Sequence, residues 1–350
     1  MDWQKLLAWA LGVVLLGLYF RSISVAALLA QQRNDAVLRA ISWAVRVALT
    51  PRRGASYEVI QSRMDWFMPL QVLLTVVTWF AWLTLAFSCF YWASGSVDTL
   101  AEALVASGSA LSTLGFFTPD AAAGRWLAIA EGMLGLVAVV YLFTFVPGFL
   151  STLQQRSEYV GWIAARAGQP LSAATLLRWM HLPGAAAGVP ALWSSSEQWF
   201  RLLAMTHSTA PELMYMPSFL RGHWWTATAG TLLEAAAFSS AALQEQHSSD
   251  ARIALQVGSK ALTTLADALK ARLAAPGSVP PARPTLDAQF DALWDQLAAS
   301  GAPLTADREP ARHRWHALRS KWAPALAAIA AAVGAPSGLG LEPPERPLRG

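Results

Sequence analysis

The part of this chain best suited to chemistry is a stretch of backbone rather than a set of reactive side chains: Ser112-Thr113-Leu114-Gly115-Phe116-Phe117-Thr118-Pro119-Asp120. Gly115 permits a turn that its bulky neighbours resist, and Pro119 forbids a continuing helix. Non-helical backbone leaves carbonyl oxygens unpartnered. A ring of Thr113, Leu114, Gly115 and Phe116 carbonyls from several copies can replace the hydration shell of a cation, with the Thr113 hydroxyl as an innermost ligand. Glu131 is the second candidate, because it is the one ionisable residue in the apolar run 126–153, and an intramembrane carboxylate is a functional candidate by default. It could brace the loop by accepting hydrogen bonds from Ser109, Ser112 or loop amides. It could equally reach water near an interface.

Little else offers a reactive group. No G-x-x-x-x-G-K-[ST] phosphate loop, G-x-G-x-x-G turn, G-x-S-x-G elbow or H-E-x-x-H pair occurs, so neither an enzymatic activity nor a cofactor other than a permeant ion is expected. The single cysteine, Cys89, lies in an apolar run, which excludes a disulfide framework and a thiolate metal site. It reads as a small buried hydrophobe. His313 and His316 share a helix face without zinc-type partners and read as solvated. His207 reads as a packed or hydrogen-bonded histidine, with pH sensing as the alternative.

The elements that must position the loop are membrane helices. The chain is 55% apolar with 17 tryptophans, which points to the membrane class. Its basic residues cluster in loops instead of forming a stripe with interleaved aromatics, so no nucleic-acid partner is expected. Three stretches approach the roughly 20 apolar residues a span needs: 6–20, 66–93 and 126–153. The first is short, and Ser24-Val25-Ala26 resembles a signal-peptide cleavage site. A retained anchor is preferred, since Asp2 spoils a positive leading region and Arg21 follows the apolar run. Arg21, Arg33, Arg39, Arg46, Arg52, Arg53 and Arg63 separate the first two stretches, whereas Arg125 alone lies between the second and third. By the positive-inside rule the N-terminus and the loop are external and the C-terminal portion is cytoplasmic. In the basic linker, Val37, Leu38, Ile41, Val45 and Leu49 recur at helical spacing near Trp43, as in a helix on a membrane surface or one packed on a cytosolic domain.

Between the second and third spans, residues 97–111 read as a helix too short to cross, capped by Ser96 or Asp98. A short helix followed by extended backbone between two spans is the plan of a re-entrant loop, which survives at membrane depth only when buried in protein or lining an aqueous path. Span, short helix, Thr113-Leu114-Gly115-Phe116 and span together resemble the two-helix pore module of potassium channels, whose filters read Thr-x-Gly-Tyr/Phe-Gly. Phe117 stands where that family has its second glycine and Thr118 where it has an acidic residue. Phenylalanine at a positive φ would cost about 1–3 kcal/mol, so a different outer mouth is expected. The resemblance implies ion binding by Thr113 through Phe117, support by Ser109, Ser112 and Glu131, a bend at Gly132 and Gly135, and a cytoplasmic gate at Pro147-Gly148 narrowed by Phe145 or Phe149. Close helix packing is the alternative for the small residues.

Tyr141-Leu142, Pro147, Ser157-Glu158-Tyr159-Val160 and Arg166-Ala167-Gly168-Gln169-Pro170, then His207, Pro211, Leu213, Tyr215, Trp225 and Leu232-Leu233-Glu234, are similar to the exit and tail of a bacterial potassium-channel-like family with helical cytosolic tails. The expected fold is therefore an all-α integral membrane protein of the plasma membrane. Its parts are an N-terminal transmembrane helix (1–30), a cytoplasmic basic linker (31–65), a pore module (66–153; pore helix 97–111, filter 112–118), a cytosolic helical domain (154–275) and a Pro/Ala-rich extension with two helices and a disordered end (276–350). One loop per chain implies a homotetramer, with lipids and a cytosolic regulator as further partners and potassium as the bound ion. A non-selective pore and a non-conducting scaffold or sensor are the alternatives.

Overall fold

The structure, a computed structural model, describes residues 3–27, 36–50, 55–244, 248–270 and 283–342. Among them it is all-helical, without a strand. Three helical stretches are long and apolar enough to cross a membrane: Trp3–Val25, Tyr57–Ala93 and Ala122–Ala167. The chain divides into two compact units, one of residues 1–48 and 66–150, the other of 49–65 and 151–350.

In the first unit, α1 (Trp3–Ala27) runs well past the 6–20 stretch read from composition. It packs along α4 (Phe67–Ala93), where the Trp9 and Phe90 rings lie 4.8 Å apart and a side chain at Gly12 would overlap the Phe90 ring. Two polar side chains on these helices are paired inside the unit, as low-dielectric surroundings favour. The Trp79 indole donates to Ser22 Oγ at 3.0 Å, and the Tyr19 hydroxyl donates to the Leu134 carbonyl at 3.0 Å. The amphipathic linker helix, α2 (Ala36–Leu49), buries Leu38 and Val45 while Trp43 and Val47 stay exposed.

The short helix is α5 (Leu100–Leu111), and its cap is Thr99 rather than Ser96 or Asp98. Thr99 Oγ1 accepts the Glu102 N–H at 3.2 Å, and the Glu102 carboxylate accepts the Asp98 N–H at 3.1 Å, a reciprocal cap that fixes where the helix begins. The third long helix, α6 (Ala122–Ala167), is unbroken through Gly132, Gly135, Pro147 and Gly148 and passes from the first unit into the second.

The second unit contains α3 (Tyr57–Met64), whose buried Gln61 donates to the Ser218 and Leu220 carbonyls and accepts from Gly222 N–H. Thus part of the basic linker belongs to the same unit as the tail. Its hub is α9 (Trp225–Ala242), buried at every residue except Ser240. A helix rich in Ala, Thr and Gly can be surrounded closely on all sides. Around it pack α7 (Ala173–Met180), α10 (Ser249–Lys270), α12 (Arg308–Arg319) and α13 (Ala323–Val333), with α8 (Val189–Thr209) against α10 and α11 (Arg283–Ala299) against α12.

The C-terminal extension departs from its reading. It carries three helices, since the stretch read as a helix over 312–333, with Pro324 as its point of interruption, does break, at 320–322 just ahead of that proline. Residues 335–342, read as part of a disordered end, lie as a strap on α9: Thr226 Oγ1 donates to the Pro336 carbonyl at 2.7 Å, and side chains at Gly230 or Gly338 would collide with backbone across the crossing. Leu339 and Leu341 are buried beneath it. Most of the linker read over 274–284, and residues 343–350, lie outside the described residues.

Candidate functional site

The loop after α5 is held by alternate amides. Thr113 N–H donates to the Ala110 carbonyl at 3.1 Å, Gly115 N–H to the Ser109 carbonyl at 3.3 Å, and Phe117 N–H to Ser109 Oγ at 2.9 Å. All three acceptors belong to the last turn of α5. In a planar trans peptide the N–H and the preceding carbonyl point in opposite directions. The Ser112, Leu114 and Phe116 carbonyls are therefore turned away from α5. Their side of the loop is open in the protomer, with Leu114 72% and Phe116 66% exposed.

Two residues set this course. Gly115 has φ +66° and Thr113 has φ +59°, both left-handed, on either side of Leu114. Glycine tolerates that region freely, whereas a β-branched residue there is strained by about 1–3 kcal/mol. Alternating handedness is what lets successive peptide planes present amides to one side and carbonyls to the other. The strain at Thr113 was not readable from the sequence, where Gly115 alone signalled an unusual turn.

Phe117 does not share the positive φ. Its amide is tied to Ser109 and its ring packs, half-buried, against the core of the first unit. The outer end of the loop accordingly differs from a backbone that uses glycine there, and Phe117 contributes an anchored N–H to the loop.

Glu131 is fully buried behind α5 and accepts from Ser107 Oγ and, at 3.2 Å, from the Tyr91 hydroxyl. Its partners are thus Ser107 and Tyr91, on α5 and α4, rather than Ser109 or Ser112. Ser107 also lies 3.2 Å from the Thr84 carbonyl, so three helices meet at one carboxylate. Ser112 Oγ instead donates to the Gly108 carbonyl at 2.6 Å and closes the helix end. Ser107 and Tyr91 are the residues that sequence reasoning missed. Only their small or hydroxylated character on apolar helices hinted at them, and pairing across 24 and 40 residues needs the helix packing itself.

Along α6, a side chain at Gly135 would overlap Leu111 of α5, so this glycine permits close approach of the two helices, and one at Gly132 would make ordinary contact with the Ala110 carbonyl. Pro147 lies within the helix and Gly148 has open space beside it. Phe149 is buried; the side chain of Phe145 lies outside what the structure describes. Among the described side chains here, Phe143 is 78% exposed. It continues a row of exposed apolar side chains, Trp126, Ile129, Met133, Leu136 and Val140, at alternating spacings of three and four.

In the second unit, His207 is fully buried, with Nε2 3.0 Å from an Arg156 guanidinium nitrogen and Nδ1 2.8 Å from Thr206 Oγ1. Burial first, and the Arg156 charge second, hold its pKa well below the usual histidine range. His316 was read as solvated but is mostly covered, its Nε2 2.6 Å from Asp287. No cluster of three or more His, Cys, Asp or Glu that could hold a metal occurs among the described residues. No family model, curated protein or solved structure matches this chain.

Proposed function

We propose that four copies of this chain form a cation pore lined by backbone carbonyls of the 112–117 loop. The observation that carries this reading is the alternate-amide anchoring of the loop on α5, which leaves carbonyls on the open side between two helices long enough to span. Carbonyl oxygens so presented suit a dehydrating cation, and the C-terminal end of α5 adds a partial negative charge nearby. One loop supplies only part of a coordination shell, so copies must surround an axis. The row from Trp126 to Phe143 offers each copy an apolar, regularly spaced surface for its neighbours or for lipid. On this reading the bound ion is potassium, the protein lies in the plasma membrane with the loop external, and the second unit is cytoplasmic, open to a regulator.

The anchored, half-buried Phe117 favours a second outcome, a pore with little discrimination between potassium and sodium, because a phenylalanine without positive φ stands where the potassium-channel plan has its second filter glycine.

Ion flux from purified, reconstituted protein is the test. Potassium currents are expected, and Gly115→Ala should reduce them at least tenfold while tetramers persist, since alanine at φ +66° costs about 1–2 kcal/mol in every copy. Equal sodium and potassium permeability would leave the pore and refute selectivity. Silent bilayers containing intact oligomers would refute conduction and favour a scaffold.

A further inference from the structure

A loop of the second unit, residues 218–223, turns its apolar side chains outward. Phe219 is 55% and Leu220 41% exposed, Arg221 and Gly222 are exposed beside them, and Ser218 and Trp224 on either side are buried. The tip is held in shape by its main chain. Gln61 of α3 engages three groups: Nε2 donates to the Ser218 and Leu220 carbonyls, each at 3.3 Å, and Oε1 accepts the Gly222 N–H at 2.9 Å. His223 N–H donates to the Leu220 carbonyl at 3.1 Å, closing a tight turn whose third residue, Gly222, has φ +76°. On the other flank Phe219 N–H donates to Ser157 Oγ of α6 at 3.2 Å, and Leu220 lies so close to Gly161 that a side chain there would overlap it.

The two anchors also fix where the tip lies along the chain. Gln61 is one helical turn ahead of Asp65, whose N–H donates to the Gln61 carbonyl at 3.0 Å, and α4 begins directly afterwards at Phe67. Ser157 lies about 6 Å along an unbroken helix from Leu153, where the apolar run of α6 gives way to Gln154-Gln155-Arg156. Where both long helices cross a bilayer, α4 enters and α6 leaves on the same side, so the lipid boundary of that side passes near both anchors. A bilayer is thus the apolar phase that chain connectivity itself brings to Phe219 and Leu220. Arg221 can lay its stem on hydrocarbon and keep its guanidinium among the headgroups. Asp65 shares that charge, so the tip sets no preference for anionic over zwitterionic lipid.

We propose that the Phe219-Leu220 tip is a membrane anchor, inserted at the boundary between headgroups and acyl chains with Arg221 at headgroup level, and that it holds the second unit to the lipid surface. The inference rests on α4 and α6 crossing a membrane and is independent of whether the loop conducts.

The test places a single environment-sensitive label in the full chain, in a Cys89→Ala background, reconstituted into phosphatidylcholine nanodiscs. Phe219→Cys, Arg221→Cys, Val77→Cys on α4 and Ser320→Cys are compared, each checked for unchanged helicity. Insertion by about 5–10 Å should let brominated acyl chains quench the label at 219 more than at 221, while aqueous iodide quenches 219 severalfold less than 320. Adding Phe219→Ser to Arg221→Cys should make the 221 label severalfold more accessible to iodide, a readout that does not depend on a label at the tip. Iodide quenching at 219 equal to that at 320, protection of 219 from both quenchers as under a second copy, or no response of 221 to Phe219→Ser overturns the proposal. A label at 77 that lies in water overturns the membrane crossing and the anchor together, whereas lipid at 77 with water at 219 refutes the anchor alone.

Discussion

Ser109→Ala is the sharpest probe of how the loop is held. The substitution removes one atom, the Oγ that accepts the Phe117 N–H at 2.9 Å, and leaves the Ser109 carbonyl in place for Gly115. Ser109 is fully buried and Phe117 half-buried, so water replaces the lost acceptor incompletely. A penalty of about 1–2 kcal/mol follows, which shifts the local closed-to-open equilibrium of the loop roughly 5- to 30-fold. Hydrogen exchange of the peptide spanning 112–118, in the full-length protein, reads that shift directly. The matched control is Ser112→Ala. Its hydroxyl donates to the Gly108 carbonyl on the exposed side, and that carbonyl also accepts the Ser112 N–H, so the change should stay within about 0.5 kcal/mol, or roughly twofold. If Ser109→Ala exchanges at the wild-type rate, or Ser112→Ala opens the loop more, alternate-amide anchoring is wrong.

Three further outcomes are expected. Glu131→Gln should retain the thermal stability of the detergent-solubilised protein, because the amide oxygen can accept from Tyr91 while its NH2 donates to Ser107, which keeps Thr84 as acceptor; Glu131→Ala strands the Tyr91 hydroxyl and should lower stability by about 1–3 kcal/mol in the same melt. Gly338→Ala drives a methyl into the Ala227 carbonyl and should release the strap, seen as at least tenfold faster limited proteolysis between 335 and 342. The second unit should lose stability as pH falls below about 6.5: unfolded His207 takes up a proton there while the buried ring, its pKa depressed, does not. The slope is at most about 1.4 kcal/mol per pH unit, and denaturant titration of a His207→Asn variant should lack that contribution.

The three helices long and apolar enough to cross a membrane were legible because length and apolarity are bulk properties of a run. Helix α5 was legible as a short apolar helix, but its start was not: Ser96, Asp98 and Thr99 are all cap residues, and Glu102 three positions after Thr99 is the cue that separates them. Gly115 announced a turn, whereas Thr113 concealed one, since β-branched residues are the last expected at positive φ. Glu131 stood out by its isolation in an apolar run, where bracing the loop and reaching water near an interface were both open, and the structure buries it behind α5. Its actual partners were not legible, because Ser107 and Tyr91 come to it only through packing of three helices. The C-terminal strap was misjudged for a related reason. Proline and glycine usually mark chain that cannot bury itself, yet here Gly338 allows backbone to lie against α9 and the Gly340 amide is taken up by Glu234, while Leu339 and Leu341 are buried.

The strap also bears on how the protein is made. Helix α9 needs cover on every side, and part of that cover is encoded some hundred residues later. At about 5–20 residues per second, a ribosome leaves that helix incompletely sheltered for roughly 5–20 s. During this interval its exposed small-residue surface, and the Glu234 carboxylate that later accepts Arg319 Nε and the Gly340 amide, must be kept from other partners. Chaperone dependence should therefore concentrate on the interval between synthesis of α9 and synthesis of the strap.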